Sequence, residues 1–531
     1  MTDFRMLRPT APSGEWHDYW DDRTIGSYLS ESAQTAPDAI AIVEGRTRLT
    51  YSDLLRSVQE FAGGLKSIGV QRGDVVSIIL PNWWEAAVAM HAVTWMGAVV
   101  NPIVPIYRHA ELSFIFRQAK TRAVIVPAVH RNFDYVTMLR EVREQLDLPL
   151  AIVIARPESD TADDTHSWLD VATGSEPEVD EDAAASEVAM LLYTSGTTAE
   201  PKGVLHTHQT IGWEMRSIVS ALELGPKDSI FMPSPVGHLT GAVYGVYLPT
   251  TFAQSATLLD IWDPRSAVDA IESENCTFGL GAPTFLRGIL EEYAHRGVTP
   301  SLTSFLCGGT DVAPQLIRDA QQRLGGYVSR CYGMTEMPVF SLAGANTNSE
   351  IGAETDGLPV HPGRFRIENG VGNVGELVID GPERFVGYLD PVANADAFTP
   401  DGFFRTGDIA EIDDRGAISI VGRKKDIIIR GGENISAAEV EAHLLDHPGI
   451  QDVAVVPVPD PVMGERVCAF VVPRGTEVPT VQGLFDFLRA KGLAAQKCPE
   501  RIELIEELPR TPSGKVQKFL LRQTLQEMTD E

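Results

Sequence analysis

The 531-residue chain is poor in cysteine and poor in positive charge. Its five cysteines, Cys276, Cys307, Cys331, Cys468 and Cys498, are odd in number, widely spaced and include no C-x-x-C pair, which argues against a disulfide framework and a zinc knuckle. A reducing, cytoplasmic compartment is the expectation. Lys and Arg number 44 against 73 Asp and Glu, a formal charge of −29, so the average surface repels DNA, RNA and anionic lipid headgroups. Nucleic acid is therefore not an expected partner. A long apolar run is also missing. The most hydrophobic stretch, Ala86 to Val104, is Ala-rich, is interrupted by His91, Thr94 and Asn101, and falls short of a membrane span. It reads as a buried helix followed by a strand. Met1 to Asp38 are polar and charged without an apolar h-region, so no secretory signal is expected. No internal repeat occurs at solenoid periods.

Against these absences stands ample material for a core. Hydrophobic residues make up 44% and charged residues 22%, which excludes disorder as the main state. The length argues for about three to four structural units, or fewer large ones. From Leu49 to about Ile154, helical segments (Tyr51–Leu65, Glu85–Met96, Ala110–Gln118) alternate with strand-like runs (Val75–Leu80, Ala98–Ile103, Ala123–Pro127). That alternation predicts a layered α/β domain with parallel pairing. Between Glu158 and Glu187 there are eleven acidic residues and no Lys or Arg, which reads as a solvated surface excursion. A second α/β series follows from Val188 to about Gly344, then a small β-rich subdomain from Gly357 to Val421. After Arg423-Lys424-Lys425 comes an α+β unit of about 105 residues. The expected fold class is thus α/β: a large layered body with a small β subdomain over 1–424, and a small mobile α+β domain over 425–531.

The strongest local feature is the segment Tyr193-Thr-Ser-Gly-Thr-Thr-Ala-Glu-Pro-Lys-Gly203, which follows a strand. Small residues let backbone N–H groups converge on an anion, and Thr194, Ser195, Thr197, Thr198 and Lys202 add hydroxyl donors and a cation. The G-x-x-x-x-G-K-[ST] spacing is absent, so this is not a Walker A loop. Gly370-Val-Gly372-Asn-Val-Gly375 satisfies G-x-G-x-x-G but leads into a strand, which argues against a dinucleotide fold. Asn275 and Asn434 sit in glycosylation-like triplets that mean nothing without a secretory route. Downstream lie Tyr332-Gly-Met-Thr-Glu336, Thr406-Gly-Asp408, Gly422-Arg-Lys-Lys-Asp426 and Pro509-Arg-Thr-Pro-Ser-Gly-Lys515.

In order and spacing these five motifs resemble the adenylate-forming superfamily, over nearly the whole chain from about Ile25 to Gln526. The resemblance is to the acyl- and aryl-CoA ligase branch, including ligases for medium-chain and alicyclic acids such as cyclohexanecarboxylate. It implies an AMP-forming acid–thiol ligase: a carboxylic acid and ATP give acyl-AMP and pyrophosphate, and the thiol of coenzyme A then displaces AMP. By the same resemblance Thr194, Ser195, Gly196, Thr197, Thr198 and Lys202 hold the β- and γ-phosphates of ATP. Glu336 matches the carboxylate associated with Mg2+, and Thr335 the hydroxyl facing the α-phosphate. Tyr332, followed by Gly333 and Met334, resembles the aromatic that packs on adenine, with Gly308, Gly309 and Thr310 along the other face. Asp408 matches the acid on the ribose hydroxyls, Arg423 the arginine beside it, and Lys515 the lysine between substrate carboxylate and α-phosphate. Lys425 falls at the hinge, and Gly431, Gly432 and Glu433 match the loop of the pantetheine channel. Two departures stand out, Ala199 for a usual glycine and Ala437 for a common proline, and neither removes a catalytic donor.

The acyl pocket of that family corresponds to Val236–Tyr247, Gly281–Phe285, Leu306–Gly309 and Gly333–Pro338, with His238 at the gating position. Gly237, Gly241, Gly245 and Gly281 are expected to leave space, and Leu239, Val243, Phe285 and Met337 to supply apolar surface, which points to an apolar, bulky or alicyclic acid. The alternative for those glycines is close packing. Met232 to Tyr247 contain no Asp or Glu to pair with a substrate ammonium, so amino-acid activation is not expected. Alternatives are a stand-alone enzyme that loads a carrier protein's pantetheine, or one competent mainly in thioester formation. Lys515, Glu336 and Asp408 together argue against loss of catalysis. A homodimer is compatible with the resemblance.

Overall fold

The computed structural model describes residues 16–146, 148–157, 164–173, 184–194, 201–430, 433–475, 479–510 and 516–530. They form two units. The first draws on Met1–Thr194, Pro201–Arg364 and Asp380–Phe403, and the second on Phe365–Ile379 and Phe404–Glu531. The strands of 365–379 and 404–424 thus group with the C-terminal residues.

Two large sheets, of nine and eight strands among the described residues, build the first unit. In the eight-stranded sheet, Val75–Ile78 pairs in parallel with Val99–Pro102 and Ala123–Pro127. All three strands are buried along their full length, as expected where helices cover both faces of a parallel sheet. The expected buried helix before Val99–Pro102 is Trp84–Trp95, a helix with no solvent face. In the nine-stranded sheet, Ser229–Met232, Phe278–Gly281, Ser304–Cys307 and Val328–Met334 run parallel. Their connecting helices carry local start and stop signals: Pro283–Arg296 and Pro314–Leu324 begin with proline and end at Gly297 and Gly325, both at positive φ.

The acidic stretch is not wholly the solvated excursion expected from its charge. Within its described part, Trp168 stacks on Phe61 with ring centroids 4.0 Å apart. A Cβ on Gly64 would lie 1.8 Å from the Val171 carbonyl oxygen, so the short helix Trp168–Val171 packs tightly on the helix Tyr51–Ser67. A stacked pair of this kind contributes about 0.5–1.5 kcal/mol beyond area burial. Counting charges missed it, because two apolar side chains are enough to anchor an otherwise acidic segment.

In the second unit, Arg364–Val371 leads through a turn at Gly372 (φ 64°) into Val374–Asp380, so the G-x-G-x-x-G match opens no helix. The C-terminal α+β part pairs Ile450–Asp460 with Gly464–Pro473 and covers this hairpin with Ala437–Leu445 and Val481–Ala490. Its core includes Val440, Leu444, Val455, Val467 and Leu488. All five cysteines are free thiols, consistent with the expected absence of a disulfide framework. Among the described residues no helix is long and apolar enough to cross a membrane.

Candidate active site

The strand Val188–Thr194 pairs antiparallel with Lys202–Thr207, which sets Thr194 opposite Lys202 at the two ends of the hydroxyl-rich loop. Ser195, Gly196, Thr197, Thr198 and Ala199 lie outside the described residues. The Lys202 ammonium sits 4.8 Å from the centre of the Tyr388 ring. Tyr388 reaches this position because Gly387–Tyr388 adds to the sheet beside Val204 and Leu205. Its hydroxyl donates to Glu336 Oε1 at 2.7 Å. Burial pushes the phenol's pKa up, so Tyr388 stays protonated and remains the donor. Cation, ring and carboxylate therefore form one ordered array.

Tyr332, Gly333 and Met334 lie at the end of Val328–Met334, where the register against Met337–Leu342 shifts twice. Such irregularities re-aim side chains, and here they fall on the Tyr-Gly-Met-Thr-Glu motif. A Cβ at Gly333 would sit 1.4 Å from the Pro338 carbonyl oxygen. Gly333→Ala is therefore expected to destabilise the protein by about 1–3 kcal/mol, because backbone must move to admit one methyl. A lowered melting temperature in thermal denaturation checks this, and an unchanged one would contradict the crowding. The turn is further held by His206, whose Nε2 lies 2.7 Å from the Thr335 carbonyl oxygen while Nδ1 faces the Thr210 hydroxyl at 3.1 Å. A carbonyl only accepts, so Nε2 carries the proton. Burial pushes His206 down to about 4, and the ring is neutral at pH 7.

Gly308 follows Ser304–Cys307, and its N–H donates to the Gly281 carbonyl at 3.1 Å. Gly309 (φ 85°) turns the chain away, leaving Gly309 and Thr310 exposed. His238 occupies a tight turn in which its N–H donates to the Pro235 carbonyl and its Nδ1 accepts from Thr240 N at 3.3 Å. That turn is clamped by buried Asn82, which donates to the Ser234 carbonyl at 2.9 Å and accepts from Val236 N at 2.8 Å.

The glycines expected to leave space serve close packing instead. A Cβ at Gly237 would meet the Ile103 backbone at 2.5 Å, one at Gly241 the Pro235 carbonyl at 2.2 Å, and one at Gly245 the Met232 side chain at 2.6 Å. At Gly281 it would meet the Phe285 ring at 2.9 Å. Residues Gly241–Tyr247 form a buried π-helix, a rare conformation often found at functional sites. It is tied on one side to the helix Trp84–Trp95: His91 Nε2 lies 3.2 Å from the Val246 carbonyl oxygen, and the Tyr247 hydroxyl donates to the Met90 carbonyl at 3.2 Å. On another side Tyr244 donates to Glu214.

In the second unit, Asp408 and Arg423 are cross-strand partners, with Arg423 Nε 3.0 Å from Asp408 Oδ1. Asp408 is buried, and its N–H donates to the Thr406 hydroxyl at 3.0 Å. Lys424 pairs with buried Glu376 at 2.8 Å, and Arg430 makes two bonds of 2.9 Å to Glu500. The positive charges of Arg423, Lys424 and Arg430 are thus each offset by a carboxylate within the unit. Lys425 lies in a single 3-10 turn, Lys424–Asp426, and Glu433 begins the strand Glu433–Ser436. Gly431, Gly432 and Lys515 lie outside the described residues.

Tyr388, His206, Asn82 and Glu214 were not singled out from sequence. Only His206, inside a strand next to the loop, carried a local signal; the others meet their partners through the sheet order.

Comparison with known proteins bears on this arrangement. The AMP-binding enzyme family matches residues 29–389, and the AMP-binding enzyme C-terminal domain matches residues 439–515. The medium-chain fatty-acid–CoA ligase of Escherichia coli (strain K12) is 34% identical over 526 residues, covering 95% of this chain and 91% of the relative. The 2,3-dihydroxybenzoate-AMP ligase of Bacillus subtilis (strain 168) is 31% identical over 520 residues, covering 96% and 95%. The crystal structure of ATP-bound MatB from Rhodopseudomonas palustris superposes with a TM-score of 0.84 at 25% identity, covering 96% of this chain and 100% of that one. The chain is an enzyme of the AMP-binding family, in the acyl-CoA synthetase branch of the adenylate-forming superfamily.

Proposed function

We propose that the protein activates a carboxylic acid with ATP and transfers the acyl group to the thiol of coenzyme A. The observation that carries this reading is the array of Lys202, Tyr388 and Glu336, beside a Thr335 turn fixed by His206. The substrate carboxylate attacks the α-phosphorus and pyrophosphate leaves; the thiol then attacks the acyl carbon and AMP leaves. Two easier displacements replace one hard one. Lys202 with the hydroxyl loop holds the β- and γ-phosphates, Thr335 faces the α-phosphate, and Tyr332 with Gly308, Gly309 and Thr310 borders adenine. Asp408 accepts two hydrogen bonds from the ribose diol, with Arg423 orienting it. Lys515 serves the first half-reaction, His238 gates the acyl pocket, and residues 425–531 swing about Lys425 so that Gly431, Gly432 and Glu433 line the pantetheine path.

The donors present fit Mg2+. Glu336 supplies a hard carboxylate oxygen, which with phosphate oxygens and water suits that cation. When bound, Mg2+ would neutralise charge on the phosphate oxygens. Glu336 would hold it, with Tyr388 orienting Glu336.

The substrate proposed is an apolar acid, medium-chain or alicyclic. With the pocket glycines taken up by packing, this rests on Leu239, Val243, Phe285 and Met337, of which Leu239, Val243 and Met337 are buried. Pyrophosphate release measured over a panel of aliphatic, alicyclic and aromatic acids is expected to peak with medium or cyclic apolar acids; preference for long linear chains would overturn the assignment. Saturable turnover with free coenzyme A is expected, and turnover confined to a purified carrier protein would favour the carrier-loading alternative. A cytoplasmic location, and residues 1–424 and 425–531 as the catalytic body and mobile domain, complete the proposal.

A further inference from the structure

We propose that Glu214 is a positioning residue for the acyl pocket, bracing the π-helix Gly241–Tyr247 against the strand that follows Thr335-Glu336. The sequence window Met232 to Tyr247 holds no acid, yet the fold brings one to it. Glu214 lies on the helix His208–Leu222 and is fully buried. Its Oε1 accepts from the Tyr244 hydroxyl and, at 3.1 Å, from the Val339 N–H. One carboxyl oxygen thereby joins two elements that both contribute acyl-pocket segments. Val339 lies two residues beyond Met337, in the strand Met337–Leu342.

A brace is needed at this point. A π-helix is held by wider i→i+5 bonds, and this one contains two glycines, Gly241 and Gly245, whose backbones add little stiffness. The His91 and Tyr247 contacts hold the helix to Trp84–Trp95. Towards the strand carrying Met337, the Tyr244 hydroxyl meets Glu214 and the Val339 backbone, and Glu214 ties both together. Among the described residues the second carboxyl oxygen of Glu214 has no hydrogen-bond partner, and neither does Oε1 of Glu383, a second buried carboxyl. Burial pushes Glu214 up to about 7, and burial together with the nearby Glu214 carboxyl pushes Glu383 up as well. A costly buried acid with an unpaired oxygen is hard to explain as packing alone, since a Leu of similar volume would fill the space without desolvating a carboxyl. Its retained benefit is the two-element hydrogen bond.

The inference rests on the acyl-CoA ligase reading, and steady-state kinetics with the best acid from the panel separates the two. Glu214→Ala is expected to raise KM for the acid by about tenfold or more while KM for ATP stays within about twofold, because the acyl wall loses its register and the nucleotide contacts do not. Tyr244→Phe removes one donor without removing the ring and should raise KM for the acid by about three- to tenfold. Glu214→Gln retains an acceptor oxygen and should recover most of the loss. If Glu214→Ala does not fold, Tyr244→Phe and Glu214→Gln decide alone. Equal changes in both KM values, a fall in kcat with KM for the acid unmoved, or Glu214→Gln as damaging as Glu214→Ala would each overturn the inference while leaving the ligase reading intact. No acid-dependent pyrophosphate release by the unaltered enzyme would instead overturn that reading.

Discussion

Replacing Lys515 with alanine is expected to slow acyl-adenylate formation by about 10²–10³-fold, yet to leave thioester formation from supplied acyl-adenylate largely intact. The first half-reaction brings a carboxylate against a triphosphate, so two anions must approach and a further charge develops on the α-phosphate. A cation placed there would offset that charge, and its effect grows as water is excluded. In the second half-reaction the nucleophile is a thiol and the leaving group is AMP, and a different face of the C-terminal domain is proposed to serve it. The described residues on either side of 511–515 are tied together: Gln517 N donates to the Pro509 carbonyl at 2.7 Å, and Arg510 bridges Val516. The helix that follows, Lys518–Asp530, is anchored by Lys518 to Glu441 at 2.7 Å and by Arg522 to Asp426 at 3.1 Å, next to the proposed hinge at Lys425. Measuring the two half-reactions separately checks the role. Equal loss of both would contradict it.

Glu336→Gln is expected to reduce kcat/KM by about 10²-fold and to raise the Mg2+ concentration needed for half-maximal activity by about tenfold or more. Glutamine retains an oxygen for the Tyr388 hydroxyl, so the turn and its hydrogen bond at 2.7 Å are preserved. What is lost is the negative charge proposed to face the cation. Calorimetric titration with ATP isolates this from turnover: Mg2+ should tighten ATP binding to the unaltered enzyme and have little effect on the variant. An unchanged Mg2+ dependence would show that Glu336 serves the turn and not the metal. Tyr388→Phe supplies the complementary case, since it removes the donor but leaves the carboxylate and should shift the Mg2+ dependence far less.

Much of the fold was legible because its signals are local. Fully apolar runs such as Val75–Ile78 and Ala123–Pro127 declare strands covered on both faces, and proline and glycine mark helix ends. The acidic stretch misled because charge is an average property, whereas anchoring depends on a few side chains such as Trp168. Net charge says as little about pairing: Arg423, Lys424 and Arg430 each have a carboxylate partner within the fold.

By itself the sequence marked the short segments on which the proposed chemistry rests: the hydroxyl loop with Lys202, Tyr332–Glu336, Thr406–Asp408 and the Lys515 motif. These are legible because each is a contiguous stretch of distinctive residue types, and their order and spacing along the chain carry the resemblance. Only the tertiary structure decided what supports them. Tyr388 meets Glu336 across 52 residues, His206 meets Thr335 across 129, and Glu214 meets Val339 across 125. It also decided that Gly237, Gly241, Gly245 and Gly281 admit neighbouring backbone and side chains rather than substrate. The physical reason is the same in both cases. Whether a missing Cβ leaves a cavity or a contact, and which side chain lies 3 Å from a given oxygen, depends on sheet order and packing between distant segments.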